Sequence, residues 1–254
     1  LESAWHLALL VVAGAIAGAV NAIAGGGPIL TLAGMMALGI DPRLANLTST
    51  VALSPGQAAA GFMAWKTLRV RSSVAHHLGG SFVLSIVLAI AGGAVGALLL
   101  LSTDPAGFRK LVVWLVLLAT AIYAWAGRGK ATAGAGSVLS PWLYWPILAI
   151  LAVYGGYFGG GNSFLVLALL AFSGLAGVEG GAAKNIIVAA LNAGAVVIFV
   201  ASGSTQWLLA LPLAVGGLIG SVGGAHLLGR LRASQIRPIV IGSGLFLAAW
   251  LAIR

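Results

Sequence analysis

Apolar residues run with no Asp, Glu, Lys or Arg through positions 7–40, 112–127, 136–178, 185–229 and 239–253. A helix that crosses the hydrocarbon core needs about 20 such residues, fewer where polar flanks snorkel to the interface. The runs do not alternate polar with apolar, which disfavours β-barrel strands. The pattern therefore predicts an all-α fold, a polytopic transmembrane helix bundle. Polar and charged residues collect in short stretches at 66–77, 102–107, 128–136, 202–206 and 230–237, which are the predicted loops.

Two glycine runs interrupt the apolar pattern from within. Gly25-Gly26-Gly27-Pro28 cannot continue a helix smoothly, because Gly is entropically costly there and Pro lacks an N–H. Pro28 is well placed as the first residue of a new helix, whose opening N–H groups have no partner. Gly159-Gly160-Gly161-Asn162-Ser163 makes the same break, with Asn162 or Ser163 expected as the cap. The triplets are 134 positions apart. Gly96-Ala97-Leu98-Leu99-Leu100 resembles Gly224-Ala225-His226-Leu227-Leu228 at a shift of 128, as Phe108-Arg109 resembles Ile236-Arg237. The long basic loop at 66–77 and the short neutral loop at 202–206 absorb the difference. The chain thus reads as two repeats, 1–136 and 137–254, in one membrane domain. Each holds two short segments around a Gly break, a third helix and two longer ones.

Composition agrees. Hydrophobic residues make up 61% and charged residues 7%, where a soluble domain carries roughly 25% charged. The 38 glycines suit close helix approach in lipid. With no Cys, disulfides and thiolate sites are excluded. The four acidic residues and four histidines show no metal or acid–base spacing, so no metal or cofactor is expected. A net charge of +9 raises the question of nucleic acid. The Lys and Arg residues, however, lie between apolar runs, where they read as topology signals and lipid-headgroup contacts. Residues 1–20 lack a basic start and run into Gly-rich sequence, so they read as part of the first helix.

Lys66, Arg69 and Arg71 crowd the first loop while its counterpart at 202–206 is uncharged. Conversely, 230–237 is basic while 102–107 holds only Asp104. Under the positive-inside rule, corresponding loops of the two halves lie on opposite sides, so the repeats are inverted. That requires five passes per half, or three passes and a re-entrant pair. Inverted repeats are common in secondary transporters, with substrate bound near the midplane.

Candidate chemistry follows from the breaks. Non-helical backbone at membrane depth belongs where it lines a cavity, and each half-helix start carries about half a positive charge. The binding candidates are therefore Gly25, Gly26 and Gly27 with Gly159, Gly160, Gly161, Asn162 and Ser163. Thr48-Ser49-Thr50 aligns with Ala182-Ala183-Lys184, and a Lys184 that faces the central cavity is expected to meet those three hydroxyls there. Two readings of Lys184 are open: an anion partner deep in the bilayer, where a Lys costs about 2.5–3.5 kcal/mol, or a helix-start residue that snorkels outward. The hydroxyls either face an oxyanion or bond their own i−4 carbonyls. Asn21, Gln57 and Asn192 are polar within apolar runs and point either into a cavity or across helix pairs. Trp5, Trp65, Trp142, Trp145 and Trp207 suit an interfacial belt. Ser54-Pro55-Gly56 marks a kink in the third helix, and Asp41 and Glu179 are candidates for proton coupling.

At these residues the sequence resembles the sulfite exporter TauE/SafE family, also called the toluene sulfonate uptake permease family. The resemblance lies in IAGAVNAIAGGGPILTLAGMMALGIDPRLANLTSTVAL at 16–53, with its Gly39-Ile40-Asp41-Pro42 turn and Ala45-Asn46-Leu47-Thr48-Ser49 segment. It continues in 154–164 and Ala183-Lys184. Thr50 stands where relatives often carry Lys, so a symmetric two-lysine site is not implied. The resemblance implies a cell-membrane secondary transporter of a small sulfur oxyanion (sulfite, sulfonate or sulfoacetate), with export expected. The rival reading is an anion channel with the Gly breaks as its filter. An intramembrane enzyme needs a nucleophile or ligand set that this sequence does not supply.

Overall fold

The computed structural model describes residues 4–24, 26–69, 82–126, 139–175 and 177–227, with single positions 241, 242, 245 and 249 beyond them. Gly25 and the basic stretches at 70–77, 128–136 and 230–237 lie outside the described residues. Among the described residues there are nine helices and no strand. They are α1 (Ala4–Ala24), α2 (Gly27–Ala37), α3 (Pro42–Arg69), α4 (Phe82–Ser102), α5 (Pro105–Ala126), α6 (Pro141–Tyr157), α7 (Asn162–Phe172), α8 (Gly177–Ala201) and α9 (Trp207–Leu227).

Each Gly break is the tip of a helical hairpin. The helices after the breaks, α2 and α7, have 11 residues each, or about 16 Å, roughly half the hydrocarbon thickness. Gly27 lies so close to α1 that a Cβ there would collide with the Ala17 carbonyl, two turns back from the end of that helix. The chain has therefore reversed. In the second hairpin the Leu139 N–H, just before α6, donates to the Phe172 carbonyl at 2.9 Å. The hairpin thus returns to the end from which it started. Of the two arrangements open from the sequence, the structure has the folded-back pair.

The hairpins enter from opposite ends. Arg43 at the start of α3 donates to the Thr103 carbonyl at 2.8 Å, and Thr48 accepts the Gln206 N–H at 3.3 Å. The 102–107 and 202–206 connections therefore share the end where α3 begins, called here the first end. α1 runs parallel to α9, with Gly14 and Gly18 against Leu213–Gly217 and Gly220 against Ala15. Since α9 leaves the first end, α1 descends from it as well. α6 runs parallel to α4 through Gly92 and Gly96 against Ala152 and Val153, and so rises from the opposite, second end.

α3 and α8 cross antiparallel in the centre, with Gln57 on Asn192 and Gly61 against Asn185 and Ala189. Further contacts join α4 to α8 and α9 to α3. Exchanging α1–α4 for α6–α9 turns each of these pairings into another of the set: α1·α9 into α6·α4, α3·α9 into α8·α4, and α3·α8 into itself.

Local chemistry supports the elements. Pro55 leaves the Val51 carbonyl without its i+4 donor, and the Ser54 hydroxyl supplies one at 2.8 Å. Asp41 caps α3, accepting from the Arg43 and Leu44 amides at 2.9 and 3.3 Å. Asp104 accepts the Gly107 amide at 2.7 Å at the start of α5. Val83, Leu98, Trp114, Val197, Leu208 and Ile219 are exposed on the outer surface, an apolar jacket suited to lipid and unsuited to water. By length and composition, Phe82–Ser102, Val178–Ala201 and Trp207–Gly224 are long and apolar enough to cross a membrane. Trp5, Trp142 and Trp207 are exposed near the starts of α1, α6 and α9, positions that fit an interfacial belt.

Candidate functional site

The hairpin tips overlap at mid-depth. A Cβ on Gly160 would sit 3.2 Å from Ile29 in the first turn of α2, and one on Gly159 would sit 3.3 Å from the Thr50 hydroxyl. Gly159 and Gly161 hold φ of 73° and 76°, a left-handed conformation that glycine adopts without strain. Gly26 and Gly161 are the N-caps of α2 and α7, and neither helix has a side-chain cap bond. The expected capping by Asn162 or Ser163 is thus corrected: both lie inside the first turn of α7, because the left-handed glycine starts the helix one residue earlier. Pro28 is the second residue of α2, one place later than expected, because Gly27 begins the helix; its missing N–H still falls among the opening groups that have no helical partner.

Between the tips and the α3–α8 crossing lies a cavity of about 10 Å³ open to water centres, room for about one water molecule. Its polar lining is Asn21 from α1, Gln57 from α3, Ser163 from α7, Asn185 from α8 and Ser221 from α9, with Ala22, Gly56, Ala60 and Val188 between them. Asn21 is 6% exposed, and its Oδ1 is buried with no partner among the described residues. Asn162 Nδ2, at the tip of the other hairpin, is buried and unpartnered in the same way. Gln57 Oε1 accepts from Asn192 Nδ2, so Asn192 reaches the cavity through Gln57. The two residues are 135 apart, as are the caps Gly26 and Gly161. This spacing is one more than that of the glycine triplets, and at it Lys184 falls at the offset of Ser49 instead of Thr50.

The hydroxyls of α3 are each engaged. Thr48 accepts from Gln206, and Thr50 donates to the Asn46 carbonyl at 3.1 Å. Ser49 hydrogen-bonds to Thr31, which donates in turn to the Pro28 carbonyl at 3.1 Å. Lys184 is 7% exposed and does not border the cavity, although Asn185 beside it does. The expected convergence of Lys184 with Thr48, Ser49 and Thr50 is not found. Lys184 and Thr50 lie eight and seven positions to opposite sides of the Asn192–Gln57 pair, about 22 Å apart along an antiparallel crossing at about 1.5 Å per residue. Lys184 is toward the second end and the hydroxyls are toward the first.

Reading the sequence missed Asn185 and Ser221. Asn185 carries the signal that singled out Asn192, a carboxamide inside an apolar run. Ser221 carries none, since its place depends on how α9 packs against Gly18 and Gly56. A further polar group closes the first-end side. Asn46 Nδ2 donates to the Tyr157 carbonyl at 2.9 Å, the Tyr157 hydroxyl meets Thr103 Oγ1 at 3.2 Å, and the Tyr154 hydroxyl donates to the Gly160 carbonyl at 2.9 Å. Among the described residues no group of three or more His, Cys, Asp or Glu is placed to hold a metal.

Comparison with known proteins gives a consistent family. The family model described as Sulfite exporter TauE/SafE matches residues 10–251. Similar curated proteins include a probable membrane transporter protein, ORF9, of a Sinorhizobium species, 27% identical over 94% of this chain and 90% of its own length. A probable membrane transporter protein of Haemophilus influenzae is 26% identical over 92% of this chain and 90% of its own. The probable membrane transporter protein YfcA of Escherichia coli K12 is 26% identical over 92% and 85%. No solved structure matches the chain. With the family match running through both hairpins and the cavity between them, the chain belongs to the sulfite exporter TauE/SafE family and is a membrane transporter, not an enzyme.

Proposed function

We propose that this transporter is a secondary carrier that exports a small sulfur-containing oxyanion of the sulfite, sulfonate or sulfoacetate type across the cell (inner) membrane, which it crosses several times. The observation that carries the reading is the mid-depth cavity, lined by carboxamides, hydroxyls and the start of α7, a helix without a side-chain cap, and by no carboxylate. The start of α7 supplies roughly half a positive charge there, and the start of α2 packs against the same tip through Ile29 and Gly160. An interior-negative potential drives an anion outward by about 2.3 kcal/mol per charge per 100 mV, which favours export. Asp41 is engaged in capping α3, so a proton-coupled cycle finds little support there.

The two halves, 1–136 and 137–254, are proposed to be inverted repeats. The exchange pattern of helix contacts and the entry of the hairpins from opposite ends support this. In that arrangement the first end is external and the second cytoplasmic. Lys184 lies on the cytoplasmic approach to Asn21, Gln57, Ser163 and Asn185, and Thr48, Ser49 and Thr50 lie on the exit beside Gly159.

Sidedness is read by single-cysteine labelling, since the parent chain has no Cys. A probe confined to the outside labels Ser204→Cys and misses Arg69→Cys; the reverse pattern sinks the inverted arrangement. Function is read in proteoliposomes, where a carrier shows saturable sulfite counterflow and a channel does not. Lys184→Met keeps length and removes charge. Because Lys184 lies on the approach and does not border the cavity, the substitution is expected to slow sulfite entry about threefold or more while leaving affinity within about twofold. An unchanged entry rate would mean that Lys184 takes no part, and a loss of affinity of about tenfold would place it in the site itself.

A further inference from the structure

We infer that the transported sulfur oxyanion carries a hydrogen-bond donor, an N–H or O–H, beside its anionic oxygens, and that Asn21 is the residue that reads it. The inference rests on the proposed function and narrows its substrate class.

The protons around the cavity decide what it can hold, and Asn185 brings both an amide NH₂ and a carbonyl oxygen to its wall. Gln57 Oε1 is occupied by the Asn192 amide, so Gln57 turns its NH₂ toward whatever enters, as a donor to an oxyanion. The Ser221 hydroxyl donates to the Gly18 carbonyl at 3.3 Å, and Ser163 donates to Asn162 Oδ1 at 3.4 Å. A hydroxyl has one proton. With that proton committed, each serine presents only lone pairs to the cavity it lines. Asn21 Oδ1 is a further acceptor, buried without a partner. An unpartnered buried acceptor costs free energy that a donor on the ligand recovers.

The site is therefore two-faced. Gln57 and the start of α7 suit anionic oxygens, while Asn21, Ser163 and Ser221 suit a proton. A fully deprotonated oxyanion brings only acceptors and would set an oxygen against Asn21 Oδ1. A ligand such as hydrogen sulfite or an amino-bearing sulfonate satisfies both faces. The cavity now has room for about one water, so the hairpin tips must part to admit the ligand. The small residues Ala22, Gly56 and Ala60 border that space.

Sulfamate and methanesulfonate test this directly. Both are singly charged at neutral pH and nearly the same shape, and they differ in an NH₂ replacing a CH₃. Binding of each to the purified protein is measured by titration calorimetry, with hydrogen sulfite in parallel to separate O–H from N–H donors. Sulfamate is expected to bind about fivefold or more tighter than methanesulfonate, the size of one neutral hydrogen bond. In Asn21→Leu the two should bind alike. Asn21→Ala, which adds no bulk beside Gly27, should give the same levelling if Asn21→Leu fails to fold. Equal binding in the wild type would overturn the inference and leave the transporter reading intact, because a cavity water would then suffice for Asn21. A preference that persists in both variants would overturn the role of Asn21. If neither probe nor hydrogen sulfite binds, the sulfur oxyanion reading itself fails.

Discussion

Gly160→Leu is expected to lower transport about a hundredfold while leaving membrane insertion intact, the scale on which a misplacement of about 1 Å is felt at a working site. Gly160 sits where the hairpin tips pass, with Phe158 on one side and Ile29 on the other. Even a Cβ forces the Phe158 ring aside, and a full leucine wedges the tips apart. Overpacking of this kind costs typically about 1–3 kcal/mol, which a helix bundle in lipid tolerates, but the two helix starts lose their register around the cavity. Gly34→Leu is the control on the same hairpin: nothing lies within 4 Å of a Cβ there, and transport should stay near wild type. The variants are compared at equal amounts in the membrane fraction. Equal transport by both would reduce the Gly159–Gly161 break to a packing feature.

The hairpins were half legible in the sequence, and the reasons are physical. Breaks at Gly25–Gly27 and Gly159–Gly161 follow from backbone chemistry local to each run, so they could be placed without knowing the fold. Whether the chain then continues or doubles back depends on Gly27 meeting Ala17 and on Leu139 meeting Phe172, contacts that no local rule contains. The Asn162 or Ser163 cap failed because a left-handed Gly161 begins the helix first. The pairing of Lys184 with the Thr48–Thr50 hydroxyls failed for a different reason. Repeat equivalence puts two residues at related places about an axis, and related places are adjacent only near that axis. Gln57 and Asn192 satisfy that condition, since they touch. Lys184 and Ser49 do not. The criterion that did transfer was a carboxamide inside an apolar run. It selected Asn21, Gln57 and Asn192, all of which are buried at the crossing or the cavity, and it applies equally to Asn185.

The Gln57–Asn192 pair supplies the second large effect. Replacing either residue with Leu strands the amide of the other in a buried site, at a cost of about 1–3 kcal/mol. Each single variant should therefore melt earlier than wild type. In the double variant both polar groups are gone, so its stability loss should be smaller than the sum of the singles, with a coupling of about 0.5 kcal/mol or more. Transport behaves differently: Gln57→Leu removes the donor that faces the cavity, and restoring stability in the double variant does not restore it. Thermal unfolding and counterflow, measured on the same four proteins, separate the two roles. Additive stability losses would show that the amides do not depend on each other. Recovered transport in the double variant would show that Gln57 does not touch the substrate.

The glycine contacts of α1 with α9 and of α6 with α4 bring backbones together along whole helices. They also join each hairpin to a helix encoded in the opposite half of the chain. The two halves are consequently interlaced, like clasped hands, and neither can swing as a solid piece without tearing one of these seams. The natural mechanical division of the molecule cuts across the sequence. The seams of α1 with α9 and of α6 with α4 flank the crossed pair α3 and α8, which packs against both.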